Sequence, residues 1–264
     1  MGHDSETALA DTRKPYIRLS EVKVDYEIGT ARLPRLHYAL ASIFAPGRVS
    51  SHQVHALRGI TLDLRQGDRL GIIGQNGAGK TTLLKVMSGI YCPTGGSVST
   101  RGKISPLFEM ATGFEMDSSG WDNIISRGLL LGMTMPEIRE KTAEIAEFSE
   151  LGDFLSLPVR CYSSGMYIRL AFSISTAIEP DILLLDEVIA SGDLSFFAKA
   201  RRRMMELVER SAILVLVTHA LDVAQEMCNR AIWLRDGLIA AEGEPAQVIA
   251  AYRDSQAVPQ LISG

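Results

Sequence analysis

Near-alternation of apolar and polar residues marks the first part of the chain and predicts β-strands. Between Tyr16 and Ile28, the apolar residues Ile17, Leu19 and Val22 are separated by polar ones, as in a strand with one buried face. Strands are predicted over Tyr16–Ile28, Ala56–Leu64, Arg69–Ile73, Ser97–Thr100 and Ile104–Phe108. The sequence therefore opens with a β-rich region.

The apolar spacing becomes helical between Trp121 and Ala177. Within this stretch, Thr134 and Glu137 stand three residues apart with Pro136 near the first turn. This arrangement is typical of the capping box at a helix N-terminus. We expect an inserted helical subdomain of about 60 residues.

Strands and helices alternate after the helical stretch. We predict strands over Ile182–Leu185 and Ile213–Val217, helices over Phe196–Arg210 and Leu221–Cys228, and a hairpin around Arg235, Asp236 and Gly237. Such alternation is typical of a largely parallel, buried sheet, so the fold class is α/β.

The predicted organisation has four parts. They are a flexible N-terminus (1–14), a core in two pieces (15–108 and 179–252), the helical subdomain (109–178) and an irregular tail (253–264). Inside the core, residues 29–53 are predicted to form a loop with a short amphipathic helix. This insertion either faces a partner or anionic headgroups through Arg32, Arg35 and Arg48, or packs on the core.

Charge and cysteine content narrow the possible functions. The 264 residues include 27 Lys and Arg against 31 Asp and Glu, a net charge of −4, so there is no basic surplus for binding phosphate backbones. Three cysteines without CxxC spacing predict neither a disulfide framework nor a zinc site, and they fit a reducing cytosol. No apolar run approaches the roughly 20 residues that span a bilayer. Because the chain lacks a basic surplus, nucleic acid is a poor candidate partner.

A glycine-rich segment follows the predicted strand Arg69–Ile73 and matches the phosphate-binding pattern GxxxxGK[ST]. Its residues are Gly74, Gln75, Asn76, Gly77, Ala78, Gly79, Lys80 and Thr81, with Thr82 next in the helix that follows. Glycines let backbone N–H groups face a phosphate, and the helix N-terminus adds about half a positive charge. Lys80 is expected to contact the outer phosphates, and Thr81 to place its hydroxyl on Mg²⁺. The segment predicts ATP and magnesium as ligands.

Two strand ends carry candidate catalytic groups. Asp186 and Glu187 follow the apolar strand that begins at Ile182; Asp186 is predicted to hold the magnesium shell, and Glu187 to polarise the attacking water. His219 follows a neighbouring strand and is predicted to hydrogen-bond the γ-phosphate or that water. A solvated acidic strand end and a surface or core histidine are the alternatives.

A second candidate anion site begins at Ser163. Ser163, Ser164 and Gly165 precede a helical run, and small residues at a helix N-terminus present N–H groups and hydroxyls to an anion. If both anion sites met one nucleotide within a single chain, the second would be redundant. If two chains pair head to tail, each P-loop is covered by the Ser163 end of the other chain, and association depends on ATP.

Together these motifs resemble the nucleotide-binding subunit of ATP-binding cassette (ABC) transporters, over about Ile17–Tyr252. The resemblance implies a P-loop NTPase fold with a RecA-like core of largely parallel sheet, an N-terminal antiparallel β part and the inserted helical subdomain. In register with the family's LSGGQ signature, Ser163 is the phosphate-contacting serine, Ser164 replaces the first glycine, Gly165 keeps the second, and Met166 replaces glutamine.

The resemblance also assigns roles outside the signature. Asp193 takes the place of the D-loop aspartate, His219 that of the switch histidine, and Tyr26 that of the aromatic residue that stacks on adenine. For Tyr26, packing against the core is the alternative. Glu109 stands where the family carries the Q-loop glutamine; it either ligates or senses the metal, or faces solvent.

The signature YSSGM and Glu109 at the Q-loop resemble the ATPase subunits of exporters for O-antigen, capsule and teichoic acid. The resemblance implies an ATPase that drives export of a lipid-linked polysaccharide from the cytoplasmic face of the bacterial inner membrane, where it binds peripherally. Its implied partners are a second copy of the chain and two copies of a polytopic permease, with no nucleic acid. The alternatives are a soluble ABC ATPase acting on nucleic acid or ribosomes, and a regulatory module that binds ATP without turnover.

Overall fold

A computed structural model of the chain describes residues 14–28, 52–110, 112–186 and 194–257. Most of the predicted flexible N-terminus and most of the insertion at 29–53, with Arg32, Arg35 and Arg48, lie outside the described residues. The same holds for two residues of the predicted site, Glu187 and Asp193.

The described residues form nine strands and seven α-helices in chain order. The strands are β1 (Tyr16–Ile28), β2 (His52–Arg65), β3 (Arg69–Ile73), β4 (Gly95–Arg101), β5 (Ile104–Pro106), β6 (Ile182–Asp186), β7 (Ile213–Val217), β8 (Arg230–Arg235) and β9 (Leu238–Gly243). The helices are α1 (Lys80–Met87), α2 (Gly120–Leu130), α3 (Met135–Ser149), α4 (Ser164–Thr176), α5 (Leu194–Arg210), α6 (Leu221–Met227) and α7 (Pro245–Ala257).

The main sheet has six strands in the order β5-β6-β7-β3-β8-β9. Its first five strands are parallel to their neighbours, and β9 pairs antiparallel with β8. All of β7 is buried, because its side chains are apolar on both faces and helices cover a parallel sheet on both sides. The carboxyl ends of β3, β6 and β7 share one edge of this sheet, so the residues that follow them come together there.

A smaller antiparallel sheet, in the order β2-β1-β4, packs against the main sheet. Alternate residues such as Ile17, Leu19 and Leu57 are buried in the same apolar cluster as Leu70 and Leu83 of β3 and α1. The alternation that predicted the first strands thus reflects one face buried against the core. The predicted α/β class, with its parallel core and its antiparallel N-terminal part, is confirmed.

The helical subdomain has an apolar cluster of its own, formed mainly by α2, α3 and α4. Thr134 and Glu137 form the predicted capping box: the Thr134 side chain accepts a hydrogen bond from the Glu137 N–H, and the Glu137 carboxylate accepts one from the Thr134 N–H. Ser119 and Asp122 form a second box at the start of α2. Each box satisfies N–H groups that a helix start leaves unpaired, and so fixes where the helix begins.

Several predicted boundaries differ from the structure. Strand β2 begins at His52, inside the predicted insertion 29–53, because it pairs with β1 as far as Ile28. The strand predicted over Ile104–Phe108 ends at Pro106 and continues as a 3₁₀ helix, because proline has no N–H to donate to a sheet. The tail predicted from Arg253 is helical through Ala257, since α7 packs Val248 and Tyr252 beside Trp233. No α-helix in the part of the chain that the structure describes is long and apolar enough to cross a membrane.

Candidate functional site

Backbone crowding explains the glycines of the loop between β3 and α1. Gly74 and Gly79 have φ angles of 151° and 103°, which favour glycine. A Cβ at Gly74 would lie 2.2 Å from the carbonyl oxygen of Leu234, and one at Gly79 would lie 2.5 Å from that of Ala56. Gly79 caps α1 without a side-chain hydrogen bond, so the first-turn N–H groups remain free of a side-chain cap. This loop can therefore receive an anion at the helix N-terminus.

The Lys80 side chain folds back over the same loop. Its ammonium group donates hydrogen bonds to the carbonyl oxygens of Gly74 at 2.8 Å and Gln75 at 3.0 Å, and only 7% of the residue is exposed. These carbonyls hold the positive charge at the cleft wall, beside the N–H groups of α1. The charge and the helix dipole both favour phosphate at this position.

Thr81 and Asp186 meet across 105 residues of sequence. The Thr81 hydroxyl donates a hydrogen bond of 2.8 Å to Asp186 Oδ2 at the end of β6. A hydroxyl and a carboxylate oxygen side by side fit Mg²⁺, which prefers oxygen ligands and needs few of them from the protein. The donor chemistry therefore matches the metal role predicted for these two residues.

The loop opens into a cleft of about 680 Å³, a size typical of small-molecule sites. Predicted site residues that line it are Tyr26, Asn76, Gly77, Gly79, Lys80, Thr81, Thr82, Glu109, Asp186 and His219. His219 is exposed two residues beyond β7, at the sheet edge where Asp186 ends β6. Ala78, within the loop, is buried, and its N–H donates a hydrogen bond to the Gln75 carbonyl at 3.2 Å.

Tyr26, on β1, lines the cleft beside Thr82. Its side chain is exposed rather than buried in the core, at 37%, and its hydroxyl lies 3.4 Å from Thr82 Oγ1. The ring of Tyr91 packs edge-on against it, with centroids 6.1 Å apart. Tyr26 therefore presents an aromatic surface to the cleft, as an adenine-stacking role requires.

Both oxygens of the Glu109 carboxylate accept hydrogen bonds in the structure. Lys85 donates to Oε1 at 2.7 Å, and the Thr112 hydroxyl donates to Oε2 at 2.6 Å. The bond from Lys85 is the main reason that the pKa of Glu109 is lowered, and the same bond raises the pKa of Lys85. The two groups therefore form an ionised pair at neutral pH. The metal role of Glu109 stays a prediction.

Ser163 is the N-cap residue of α4, and its side chain accepts a hydrogen bond of 3.2 Å from the Met166 N–H. Ser163 and Ser164 are exposed, and among the described residues those from Ser163 to Gly165 do not line the cleft beside Lys80. The two predicted anion sites are thus separate in a single chain. The outward position of Ser163 fits a contact with a nucleotide held by another chain.

Sequence reasoning missed two parts of the cleft wall. Lys85 lines the cleft and pairs with Glu109, which follows β5 and lies 24 residues further along the chain. His55 lines it too, and its Nδ1 lies 2.6 Å from Asp25 Oδ1, because β1 and β2 pair in the register that sets these residues opposite each other. Neither pair has a local sequence pattern, so only strand pairing and helix placement reveal them.

Comparisons with known proteins agree with this geometry. Residues 57–190 match the ABC transporter family. The O-antigen export system ATP-binding protein RfbB of Myxococcus xanthus is 46% identical over 202 residues, which are 76% of this chain and 46% of that protein. The O-antigen export system ATP-binding protein RfbE of Yersinia enterocolitica is 41% identical over 226 residues, which are 84% of this chain and 95% of that protein.

A solved structure of a dimeric ATP-binding cassette in a post-hydrolysis state, bound to ADP and Pi, has the same fold. The match covers 87% of this chain and 98% of that one, with a TM-score of 0.62 and 22% identity. The chain thus spans nearly all of one O-antigen relative and less than half of the other.

Proposed function

Because the chain belongs to the ABC transporter family, we propose that it is the ATP-hydrolysing subunit of an exporter that moves a lipid-linked polysaccharide across the cytoplasmic membrane. The Thr81–Asp186 contact beneath the glycine loop carries the ATPase part of this proposal. The names of the relatives, which are ATP-binding proteins of O-antigen export systems, support the cargo class. O-antigen, capsule and teichoic acid are the polysaccharide types that we consider.

Hydrolysis requires positioned charges around the γ-phosphate. The N–H groups of α1 and the Lys80 ammonium bind and orient the phosphates. When bound with the nucleotide, Mg²⁺ would be held by Thr81 and Asp186 and would offset charge on the outer phosphate oxygens. Glu187 polarises the attacking water, and His219 hydrogen-bonds the γ-phosphate or that water. Tyr26 stacks on the adenine ring.

Two chains are proposed to form one working unit. The exposed start of α4, with Ser163, Ser164 and Gly165, would cover the nucleotide that the other chain holds at its P-loop, and Asp193 would complete the contact. Closure on ATP excludes bulk water from both sites and leaves the attacking water, and opening after hydrolysis resets the pair. This unit would bind two copies of a polytopic permease on the cytoplasmic face of the inner membrane.

Reconstitution tests the exporter role. The chain would be purified alone and together with a candidate polytopic permease, and MgATP turnover would be measured with and without proteoliposomes that hold this permease. We expect copurification and turnover that rises several-fold with the permease. Full turnover by the chain alone, together with stimulation by ribosomes or DNA, would contradict the exporter role and favour a soluble ABC ATPase. ATP binding without turnover in either preparation would indicate a regulatory module.

A further inference from the structure

The ion pair between Lys85 and Glu109 lies inside the nucleotide cleft. Lys85 is on α1, one turn beyond the residues that face the phosphates, and Glu109 ends the 3₁₀ helix after β5. The ammonium and carboxylate are 2.7 Å apart, and each side chain is 24% exposed. A pair this close and partly shielded from solvent is screened less than one on the open surface.

The carboxylate of Glu109 is fixed from its other side. Thr112 donates to its second oxygen at 2.6 Å, and Thr112 is itself in contact with Arg127 of α2. The Arg127 guanidinium donates to the carbonyl oxygens of Thr112 and Met110, and only 5% of this residue is exposed. The helical subdomain thus holds the carbonyl groups of Met110 and Thr112, and Lys85 holds Glu109 to α1.

The ring of Tyr91 fixes the lysine as well. The Lys85 ammonium lies 5.3 Å from the centroid of Tyr91, whose ring packs against Tyr26. Lys85 is therefore held between the Tyr91 ring and the Glu109 carboxylate, and of these two partners Glu109 lines the cleft.

A carboxylate in this cleft has an electrostatic consequence. Glu109 lines the same space as Lys80 and Thr81, into which a nucleotide must bring several negative charges. A carboxylate without its lysine would repel these phosphates, whereas the Lys85–Glu109 pair presents no net charge to them. The Lys85–Glu109 pair therefore has the net charge that a neutral side chain at position 109 would have.

We propose that Lys85 is a positioning residue that neutralises Glu109 and holds its carboxylate in the cleft wall, so that the site accepts MgATP despite an acid at this position. This inference rests on the proposed ATPase function. It predicts that the two single substitutions change nucleotide affinity in opposite directions, because they remove opposite charges from one pair.

Affinity for a fluorescent ATP analogue (2′/3′-O-methylanthraniloyl-ATP) with Mg²⁺ tests the proposal, using the purified full chain at 50 and 300 mM salt. Lys85→Met is expected to raise Kd about fivefold at the lower salt and by less at the higher salt. Glu109→Gln is expected to lower Kd about twofold, because Lys85 and Thr112 already hold both carboxylate oxygens and the substitution removes a negative charge. A higher Kd would favour the metal role of Glu109 instead. In the double variant K85M/E109Q, Kd should return to within about twofold of the parent value.

Lys141→Met removes one positive charge from α3, in the helical subdomain, and serves as the matched control, with no change expected in Kd. Thermal unfolding of every variant checks that the fold persists. If Lys85→Met does not fold, the proposal is tested by whether Glu109→Gln lowers Kd. The proposal is overturned if both single variants raise Kd and their effects add. If the parent chain does not bind the analogue at all, the proposed function fails instead.

Discussion

Charged side chains of the cleft are positioned by backbone groups and by neighbouring side chains. Lys80 is held by the carbonyl oxygens of Gly74 and Gln75, and Asp186 by the hydroxyl of Thr81. Such contacts orient each group before a ligand arrives. Preorganisation of this kind is what makes charge stabilisation effective in a partly buried site.

Replacing Lys80 by Met should abolish most MgATP turnover while leaving the fold intact. Loss of one preorganised charge near the reacting phosphate typically lowers kcat by about 10²- to 10³-fold. Phosphate release under saturating MgATP measures the effect, and Lys103→Met, at a residue that does not line the cleft, is the control. Turnover at the parent rate would show that Lys80 does not act on the phosphates.

The three cysteines should differ in reactivity. Burial raises the pKa of the Cys228 thiol to about 11, whereas Cys92 and Cys161 are exposed. Because only the thiolate reacts, Cys228 should stay unmodified by a thiol reagent at pH 8 in the native chain, and react once the chain is denatured. A chromogenic disulfide reagent is expected to titrate two fast thiols, with the same two in Cys228→Ala. Three fast thiols would contradict the burial of Cys228.

At the scale of elements, helix starts are set by local hydrogen bonds and by crowding around glycine. The helices α2 and α3 begin at capping boxes, while α1 begins at Gly79, with its first-turn N–H groups left without a side-chain cap. The contrast agrees with the proposed function: a structural helix satisfies its own N-terminus, and a helix proposed to bind phosphate leaves its N–H groups for the ligand.

Loss of the α3 capping box should weaken the subdomain and not the cleft. Thr134→Ala removes the side chain that accepts from the Glu137 N–H, and is expected to lower the free energy of unfolding by about 1 kcal/mol. Urea denaturation measures the change, and Thr134→Ser, which keeps the hydroxyl, should stay close to the parent. Affinity for MgATP is expected to be unchanged, because Thr134 does not line the cleft.

At the scale of the whole molecule, the two sites proposed to bind phosphate do not meet within one chain. The cleft beside Lys80 lies on the main sheet, whereas Ser163 is exposed at the start of α4 in the helical subdomain. A second chain related by a twofold axis can bring each end to the other's nucleotide. The proposed dimer is therefore a way to use both ends at once.

Blocking hydrolysis should trap that dimer. Glu187→Gln is expected to accumulate an ATP-bound dimer, seen by light scattering after size exclusion in MgATP. In the same background, Ser163→Asp keeps an N-cap acceptor for the Met166 N–H. Its carboxylate would repel the phosphates of the nucleotide on the other chain, so this double variant should be monomeric. Ser163→Asn, a neutral cap, is the control and should retain more dimer. Hydrolysis by Glu187→Gln at the parent rate would refute its role.

Strand and helix positions were largely predictable, since they depend on neighbours within a few residues. Alternation located β1 and β2, and the Thr134–Glu137 pair located the start of α3. Errors occurred where distant packing decided the outcome. Helix α7 packs beside Trp233 through Val248 and Tyr252, and it continues through Ala257. The weak apolar spacing after Arg253 does not reveal this continuation.

The sequence by itself determined the glycine-rich loop and the chemistry proposed for it, because the glycines, Lys80 and Thr81 depend on backbone geometry and spacing that are local to one segment. Only the tertiary structure decided which distant groups share the cleft. Asp186 reaches Thr81, and Glu109 reaches Lys85, because β5, β6, β7 and β3 lie side by side in the main sheet. Strand order of this kind arises from long-range pairing, which the periodicity of a single strand does not encode.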